Sequence, residues 1–277
     1  MKPIEAQTCV KAWSAAVEHL LRQNDWRDYN LILEIAEPMC LPKEDKSVHN
    51  LVDNFLAEKA DKRLSTVINT IFPATLYARY GRDGVFDRFP KIWPTLEKHP
   101  DIIWGTYLRR MTHRERPGKG EMNPLEILID KIKKQMATGR PMHATYEMGM
   151  CDVAEETEWD IPIYDPTVDA RSPRGRPCLS HLSLKLKHGK ALMLTALYRS
   201  HHYIDRALGN LLGLAWLQHF IAAEAGIPTA ELVCISTMGI LDTEGWGKGD
   251  VTKLLDHCRR VMHSCQPTEQ DELPAVA

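Results

Sequence analysis

The chain has 277 residues, of which 35 are Lys or Arg and 37 are Asp or Glu, giving a formal net charge of −2. This balance argues against a protein built mainly to hold nucleic acid backbones, although a local arginine cluster still suits a phosphate. No stretch reaches the roughly 18 apolar residues that a membrane span needs, and the N-terminus lacks the apolar segment of a signal peptide. We therefore predict a cytoplasmic protein with neither nucleic acid nor membrane as partner.

The chain contains seven cysteines, an odd number, and no pair has CxxC spacing. This pattern favours neither a disulfide framework nor a zinc knuckle, so we expect reduced thiols and no metal site. A reduced cysteine is most often a small buried apolar residue, and chemical reactivity needs a lowered pKa and access to solvent.

The first half of the chain is predicted to be mainly helical. Amphipathic patterns predict helices over residues 6–23 and 49–63, and the segment 64–81 then places β-branched residues before Pro73. The clearest helix spans residues 123–139 and ends at Gly139. Its apolar residues recur at helical spacing, at Leu125, Leu128, Ile129 and Ile132.

The second half alternates predicted strands and helices. A long loop rich in Asp, Glu, Pro and Arg covers residues 149–177. Residues 178–200 predict two strands joined by a turn at His188-Gly189. Further elements are a strand at 141–148, a buried helix at 205–226, a strand at 231–242 and a helix at 251–265. The alternation predicts an α/β or α+β fold.

Three short motifs occur in a fixed order along the second half. The first is Gly139-Arg140 at a helix end, the second is Pro177-Cys178 at a strand start, and the third is Tyr198-Arg199-Ser200 followed by Leu208-Gly209-Asn210. In this order and setting they resemble thymidylate synthase and its relatives, the pyrimidine nucleotide hydroxymethylases. The resemblance covers about residues 93–242, with a divergent segment 1–92 and a short tail 243–277.

The resemblance implies a single domain over residues 1–277. Its implied fold is α+β, with three layers and a mixed sheet packed with helices, and the sheet forms a homodimer interface. Eleven residues separate Arg199 from Asn210, as in the family. Trp93 is similar to the tryptophan of the family's I-W-D segment, and Trp104 and Arg109 fall on its V-Y-G-x-Q-W-R motif.

In such enzymes a cysteine thiolate adds to C6 of the pyrimidine ring, after which C5 attacks the methylene group of methylenetetrahydrofolate. The resemblance assigns the thiolate to Cys178, with Arg174, Arg176 and Arg199 as candidate cations that favour ionisation. Arg199, Ser200 and Arg140 would hold the substrate phosphate, because guanidinium groups match phosphate oxygens. The family takes the equivalent of Arg140 from the second subunit, which implies a homodimer.

Asn210 would recognise the base. An amide offers one donor and one acceptor, which suits O4 and N3–H of uracil. Cytosine-type relatives carry an aspartate at this position, so Asn210 favours a uracil ring. Asp205, about one helical turn upstream, keeps a cytosine substrate open.

Several family residues are absent. Asn69 stands where the family has the Glu that serves proton transfer, and an amide cannot act as a general base near neutral pH. The sugar-binding His and Tyr fall on Ile240 and Asp242, the histidine after the nucleophile is Leu179, and the aspartate after Arg-Ser is His202. The segment after Ile240 is short for closing over a folate. His201-His202 is interpreted as either catalytic or a solvated loop.

The predicted catalytic residues are Cys178, Asn69 and Trp93. The predicted substrate-binding residues are Arg199, Ser200, Asn210, Arg140, Arg109, Trp104 and Arg176. We predict a transferase that delivers a methyl or hydroxymethyl group from methylenetetrahydrofolate. The alternatives are a cytosine nucleotide hydroxymethylase, a degenerate member that binds nucleotide without turnover, and an unrelated α/β protein.

Overall fold

The computed structural model describes residues 3–98, 106–116, 120–139, 146–149, 177–243 and 245–264. Its strands are β1 Ile4–Ala6, β2 Arg27–Ile35, β3 Arg114–Arg116, β4 Gly120–Met122, β5 Glu147–Gly149, β6 Leu179–Lys187, β7 Ala191–Tyr198, β8 His201–His202 and β9 Thr229–Ile240. Its helices are α1 Cys9–Leu21, α2 Lys43–Ala60, α3 Leu64–Ile71, α4 Ala74–Tyr80, α5 Phe89–Leu96, α6 Tyr107–Thr112, α7 Pro124–Thr138, α8 Leu208–Ala225 and α9 Lys248–Ser264. Short π-helical turns, Gly84–Arg88 and Tyr203–Ala207, precede α5 and α8.

The main sheet is mixed. Its strand order is β1-β2-β9-β7-β6-β5, and β8 pairs with β9 outside this order. The pairs β1–β2, β7–β9 and β8–β9 are parallel, whereas β2–β9, β6–β7 and β5–β6 are antiparallel. Helices α1 and α8 pack against this sheet. The predicted α+β class with a mixed sheet is confirmed.

The hairpin of β6 and β7 forms as its sequence predicts. Leu182, Leu184 and Leu186 are buried on the face that the helices cover, and the polar residues between them are more exposed. The turn needs left-handed backbone, which His188 and Gly189 adopt with φ of 51° and 68°. Alternation and turn chemistry therefore agree on this register.

The boundaries of several elements differ from the prediction. The first helix begins at Cys9, because the Thr8 hydroxyl caps it by accepting the N–H of Lys11 at 3.2 Å. The helix predicted from residue 49 begins six residues earlier, at Lys43. The helix predicted from residue 205 begins at Leu208, after the π-helical turn. The strand β2 was not predicted.

The later elements are close to their predicted positions. The strand predicted at 231–242 is β9, and the helix predicted at 251–265 is α9. Of the strand predicted at 141–148, the structure describes residues 146–148, and residues 147 and 148 belong to β5. The predicted loop 149–177 lies outside the described residues, except for Gly149 and Pro177.

Three layers are confirmed. The sheet forms the first layer, α1 and α8 form the second, and α3 packs on the far side of α8. Gln218 of α8 joins the first two layers, because its amide donates to the carbonyls of Leu192 at 2.8 Å and Ala230 at 2.9 Å. Trp13 of α1 donates to the carbonyl of Tyr203 at 2.6 Å. Among the described helices, none is both long enough and apolar enough to cross a membrane.

The second face of the sheet is only half-buried. On β7 it presents Met193, Thr195 and Leu197, and on β9 it presents Val233 and Ile235. The predicted dimer interface falls on this face and stays a prediction.

Helices α3 and α8 approach each other closely through two glycines one turn apart. A Cβ atom added at Gly209 would lie 2.6 Å from Cβ of Val67, and one added at Gly213 would lie 3.0 Å from the carbonyl oxygen of Ile68. Both distances are below ordinary van der Waals contact. The glycines thus set the distance between the helix that carries Asn69 and the helix that carries Asn210.

Substitution of Gly209 tests this contact. We expect Gly209→Ala to lower the free energy of unfolding by about 1–3 kcal/mol, because the new methyl group displaces the α3 backbone. Urea denaturation measures the change. Gly249→Ala on α9 is the matched control, since no atom lies within 4 Å of its added Cβ. Equal stability of the two variants would contradict the close approach.

Candidate functional site

Cys178 lies directly before β6, with its main chain held on both sides. Its N–H donates to the Tyr107 hydroxyl at 2.9 Å, and the N–H of Leu179 donates to the same hydroxyl at 3.1 Å. Its carbonyl accepts the N–H of Arg199 at 2.9 Å. The Cys178 side chain itself is half-buried. The structure thus combines a fixed backbone with a side chain that is not fully buried.

The strand pairing beside Cys178 is irregular. The register between β6 and β7 shifts between Leu179 and His181, which is the pattern of a β-bulge. Bulges redirect neighbouring side chains and are frequent next to functional sites. On the opposite strand, a terminal nitrogen of Arg199 donates to the carbonyl of Pro177 at 2.5 Å. This bond holds the guanidinium group beside the residue that precedes Cys178.

Burial and positive charge act on the Cys178 thiol in opposite directions. Burial raises its pKa above the ordinary value, and the guanidinium groups of Arg199 and Arg206 lower it. Burial has the larger effect, so the free protein holds Cys178 mainly as a thiol at neutral pH. Arg199 was predicted at this place. Arg206 was not, and its only sequence signal is its position just before the Leu208-Gly209-Asn210 motif.

A charged cluster lies next to Arg206, in the turn that precedes α8. The Nε of Arg206 donates to the carboxylate of Asp205 at 2.7 Å. Lys62, in the segment after α2, forms an ion pair with the same carboxylate. These two cations keep the pKa of Asp205 below its usual range, against the effect of burial. Asp205 is therefore ionised, and its carboxylate is ion-paired with both Lys62 and Arg206.

Asp242, which the resemblance aligns with a sugar-binding tyrosine, is buried just after the end of β9. It is 4% exposed, and its carboxylate accepts the N–H of Ile204 at 3.0 Å and of Asp205 at 3.2 Å. Burial raises its pKa, while the hydrogen bond from Ile204 and the charge of His202 lower it. Asp242 thus caps the backbone of the turn that carries Arg206.

Asn210 belongs to a buried chain of hydrogen bonds. Its amide lies 3.0 Å from Nε2 of His201, and Nδ1 of His201 lies 3.0 Å from the hydroxyl of Ser236. Ser236 also lies 3.2 Å from the hydroxyl of Tyr203. Burial lowers the pKa of His201 to about 3, so the ring is neutral. A neutral ring that accepts from Asn210 donates to Ser236.

These contacts correct the interpretation of His201-His202 as a solvated loop. His201 is 1% exposed, and its ring stacks on Tyr198 with centroids 4.1 Å apart and planes at 3°. It forms the short strand β8, which pairs in parallel with β9. Only His202 remains half-buried.

Trp93 and Arg109 lie together. The Arg109 guanidinium carbon is 5.6 Å from the Trp93 ring centroid, within the range of a cation–π contact. Trp93 is 8% exposed and also packs against Phe89. Arg109 shares helix α6 with Tyr107, so this pair connects to the Cys178 backbone through one short helix. Burial lowers the pKa of Arg109 from its usual value.

Asn69 is half-buried on α3, and its side chain makes no hydrogen bond to any residue that the structure describes. Ser200 is half-buried directly after Arg199. Three predicted residues, Arg140, Trp104 and Arg176, lie outside the described residues. In the described ranges, no group of three His, Cys, Asp or Glu side chains is arranged to hold a metal.

Comparison with known proteins gives a structural likeness and no sequence relative. No protein-family model matches the chain, and no curated protein sequence does. Among solved structures, thymidylate synthase from T4 phage superposes with a TM-score of 0.48 and 13% sequence identity, over 93% of this chain and 82% of that chain. These values identify no family, so the functional proposal rests on the residues described above.

The neutral state of His201 makes stability depend on pH. Its pKa is about 3 in the folded protein and about 6.5 when unfolded, so protons bind preferentially to the unfolded chain as pH falls from about 6.5 to about 3. At pH 5 this preference costs about 2 kcal/mol of stability. We expect urea unfolding at pH 7 and pH 5 to show a difference that His201→Gln reduces by this amount.

His257→Gln is the control for this measurement, because His257 is exposed on α9. It is expected to leave the pH dependence unchanged. The same pH dependence in His201→Gln as in the wild type would contradict a lowered pKa of His201 in the folded protein.

Proposed function

We propose that the chain is a thymidylate synthase-like transferase that adds a methyl or hydroxymethyl group to C5 of a uracil-type pyrimidine nucleotide. The observation that supports it most is the setting of Cys178. Its backbone is fixed by Tyr107 and Arg199, its side chain is only half-buried, and two guanidinium groups act on its ionisation. Thiolate, rather than thiol, is the nucleophile that such chemistry needs.

The first chemical step is addition of the Cys178 sulfur to C6 of the pyrimidine. The C–S bond forms as the C5–C6 double bond opens, and its electron pair moves through C5 towards O4. C5 then becomes the nucleophile for a one-carbon electrophile. Because burial raises the pKa of Cys178, positive charge from Arg199 and Arg206 must stabilise the thiolate at the moment of attack.

Arg199 is also proposed to bind the substrate phosphate. Within the described residues its guanidinium makes one hydrogen bond, to the Pro177 carbonyl, which leaves N–H groups for phosphate oxygens. Ser200 follows it directly, with a half-buried hydroxyl. Arg140 and Arg176 stay predicted members of this site.

Asn210 is proposed to recognise uracil. The alternative, a cytosine nucleotide hydroxymethylase, needs a carboxylate for the base, and Asp205 is the nearest one upstream. Asp205 is already ion-paired with Lys62 and Arg206. A carboxylate held by two cations is a poor hydrogen-bond partner for a neutral base, which supports the proposal of Asn210 over Asp205 as the recognising residue.

Methylenetetrahydrofolate is the proposed one-carbon donor, which supplies the methylene group. An aromatic ring and a guanidinium group suit a pterin and its carboxylate tail, and Trp93 and Arg109 have this chemistry. Trp93 is nevertheless 8% exposed, and Arg109 lies beside its ring. Trp93 therefore offers little exposed ring surface to a pterin, and we derive no step that involves the folate.

A homodimer is part of the proposal. The half-buried second face of the sheet carries Met193, Leu197, Val233 and Ile235, and a second copy of the chain would cover them. In thymidylate synthase and its relatives, such a dimer brings the equivalent of Arg140 from one subunit to the phosphate site of the other.

A degenerate nucleotide-binding protein is the second candidate, and Asn69 favours it. The amide replaces the family's general base and makes no hydrogen bond within the described residues. Without a base, nucleotide would bind at Arg199 and Asn210 but would not be converted.

Incubation with dUMP, UMP, dCMP or CMP and methylenetetrahydrofolate distinguishes these functions. We expect a uracil nucleotide to become heavier by one CH2 or one CH2O, as measured by mass spectrometry of the nucleotide. Cys178→Ala should reduce the rate at least about a thousandfold, because no covalent adduct can form.

Cys40→Ala is the matched control, because Cys40 is also a half-buried free thiol but lies in another part of the fold. Product from a cytosine nucleotide alone would favour the alternative substrate. Nucleotide binding without any product would favour the degenerate protein, and absence of both would contradict the proposal.

A further inference from the structure

The hydroxyl of Tyr198 is buried and has no hydrogen-bond partner among the described residues. The residue is 0% exposed. A buried hydroxyl without a partner costs free energy relative to the same hydroxyl in water, whereas a phenyl ring in that place would cost none. Tyr198 therefore carries a polar atom that packing alone does not require.

Tyr198 lies next to the nucleophile in the sheet. It pairs in register with Leu179, the residue after Cys178. The Tyr107 hydroxyl, which accepts the N–H groups of Cys178 and Leu179, lies at the same strand end. Burial raises the pKa of Tyr198, and Tyr107, Cys234 and Cys178 raise it further, so its hydroxyl lies within electrostatic range of the Cys178 thiol.

The ring of Tyr198 connects this hydroxyl to the proposed base-recognition residue. It stacks on His201 at 4.1 Å, and His201 binds the amide of Asn210. One side chain thus connects the chain of hydrogen bonds to the strand position beside Cys178.

We propose that the Tyr198 hydroxyl donates a hydrogen bond, through one buried water, to the sulfur of Cys178 when that sulfur is ionised. A buried water needs two or more polar partners, which the hydroxyl and the thiolate supply. The phenol stays protonated at neutral pH, because burial raises its pKa well above the usual value. It is therefore available as a donor, and a donor to a thiolate favours the charged form.

This inference rests on the proposed function only in taking Cys178 as the nucleophile. Arg199 and Arg206 act on the same thiol from the end of β7 and from the turn before α8. Tyr198 adds a neutral donor from the buried side. The three groups together oppose the increase in the Cys178 pKa that burial causes.

The rate of alkylation of Cys178 by iodoacetamide, followed by mass spectrometry over a range of pH, tests this proposal without nucleotide or folate. We expect Tyr198→Phe to slow the reaction roughly fivefold at pH 8, by raising the pKa of the thiol. At high pH the rates of variant and wild type should converge. A change in packing alone would alter the rate at every pH.

Tyr146→Phe is the matched control. Tyr146 is also 0% exposed, and its hydroxyl has no partner among the described residues. Its carbonyl accepts the N–H of Leu184. Leu184 lies six residues after Cys178 along β6, which is a distance of roughly 20 Å. Tyr146→Phe should leave the alkylation profile unchanged. The same profile in Tyr198→Phe as in the wild type, or an equal shift in Tyr146→Phe, would overturn the proposal.

If Tyr198→Phe does not fold, fluorotyrosine placed at residue 198 replaces it. Fluorine makes the hydroxyl a stronger donor and keeps the ring, so alkylation at pH 8 should become faster; an unchanged rate would overturn the proposal. Failure of the proposed function looks different, because it removes turnover and leaves these alkylation profiles as they are.

Discussion

The hydrogen bond between the N–H of Arg199 and the carbonyl of Cys178, 2.9 Å long, is the contact on which the site depends. It joins the start of β6 to the end of β7 and so places a guanidinium group beside a thiol. The pairing of the two strands fixes which residues meet. A register shift of one residue would send Cys178 to the other face of the sheet.

The second half of the site comes from the turn and helix that follow β7. Helix α8 is buried between the sheet and α3, and its glycines allow α3 to approach closely. Because that helix is enclosed, its first residues are held in place, and with them Asn210 and the turn that carries Arg206. Charge and burial then oppose each other at Cys178. The free protein keeps a thiol, and the thiolate depends on its neighbours.

Local patterns predicted the elements that depend on local chemistry. The hairpin of β6 and β7 follows from alternation and the His188-Gly189 turn, whereas Arg199 and Asn210 are predicted only from the resemblance. Helix α3 was not predictable in this way, because its residues Val67 to Ile71 are mostly β-branched and become helical by packing on Gly209. Strand β2 pairs with β9, about 200 residues later in the chain. Tyr107 and Arg206 reach Cys178 only through such long-range contacts.

The central claim is that Cys178 adds to C6 of a pyrimidine nucleotide. Exchange of the C5 hydrogen of dUMP or UMP tests it most directly, because addition at C6 makes C5 basic and needs no one-carbon donor. We expect the wild type, but not Cys178→Ala, to release the tritium at C5 into water. Equal release by both proteins, or no release from any nucleotide that binds, would contradict it.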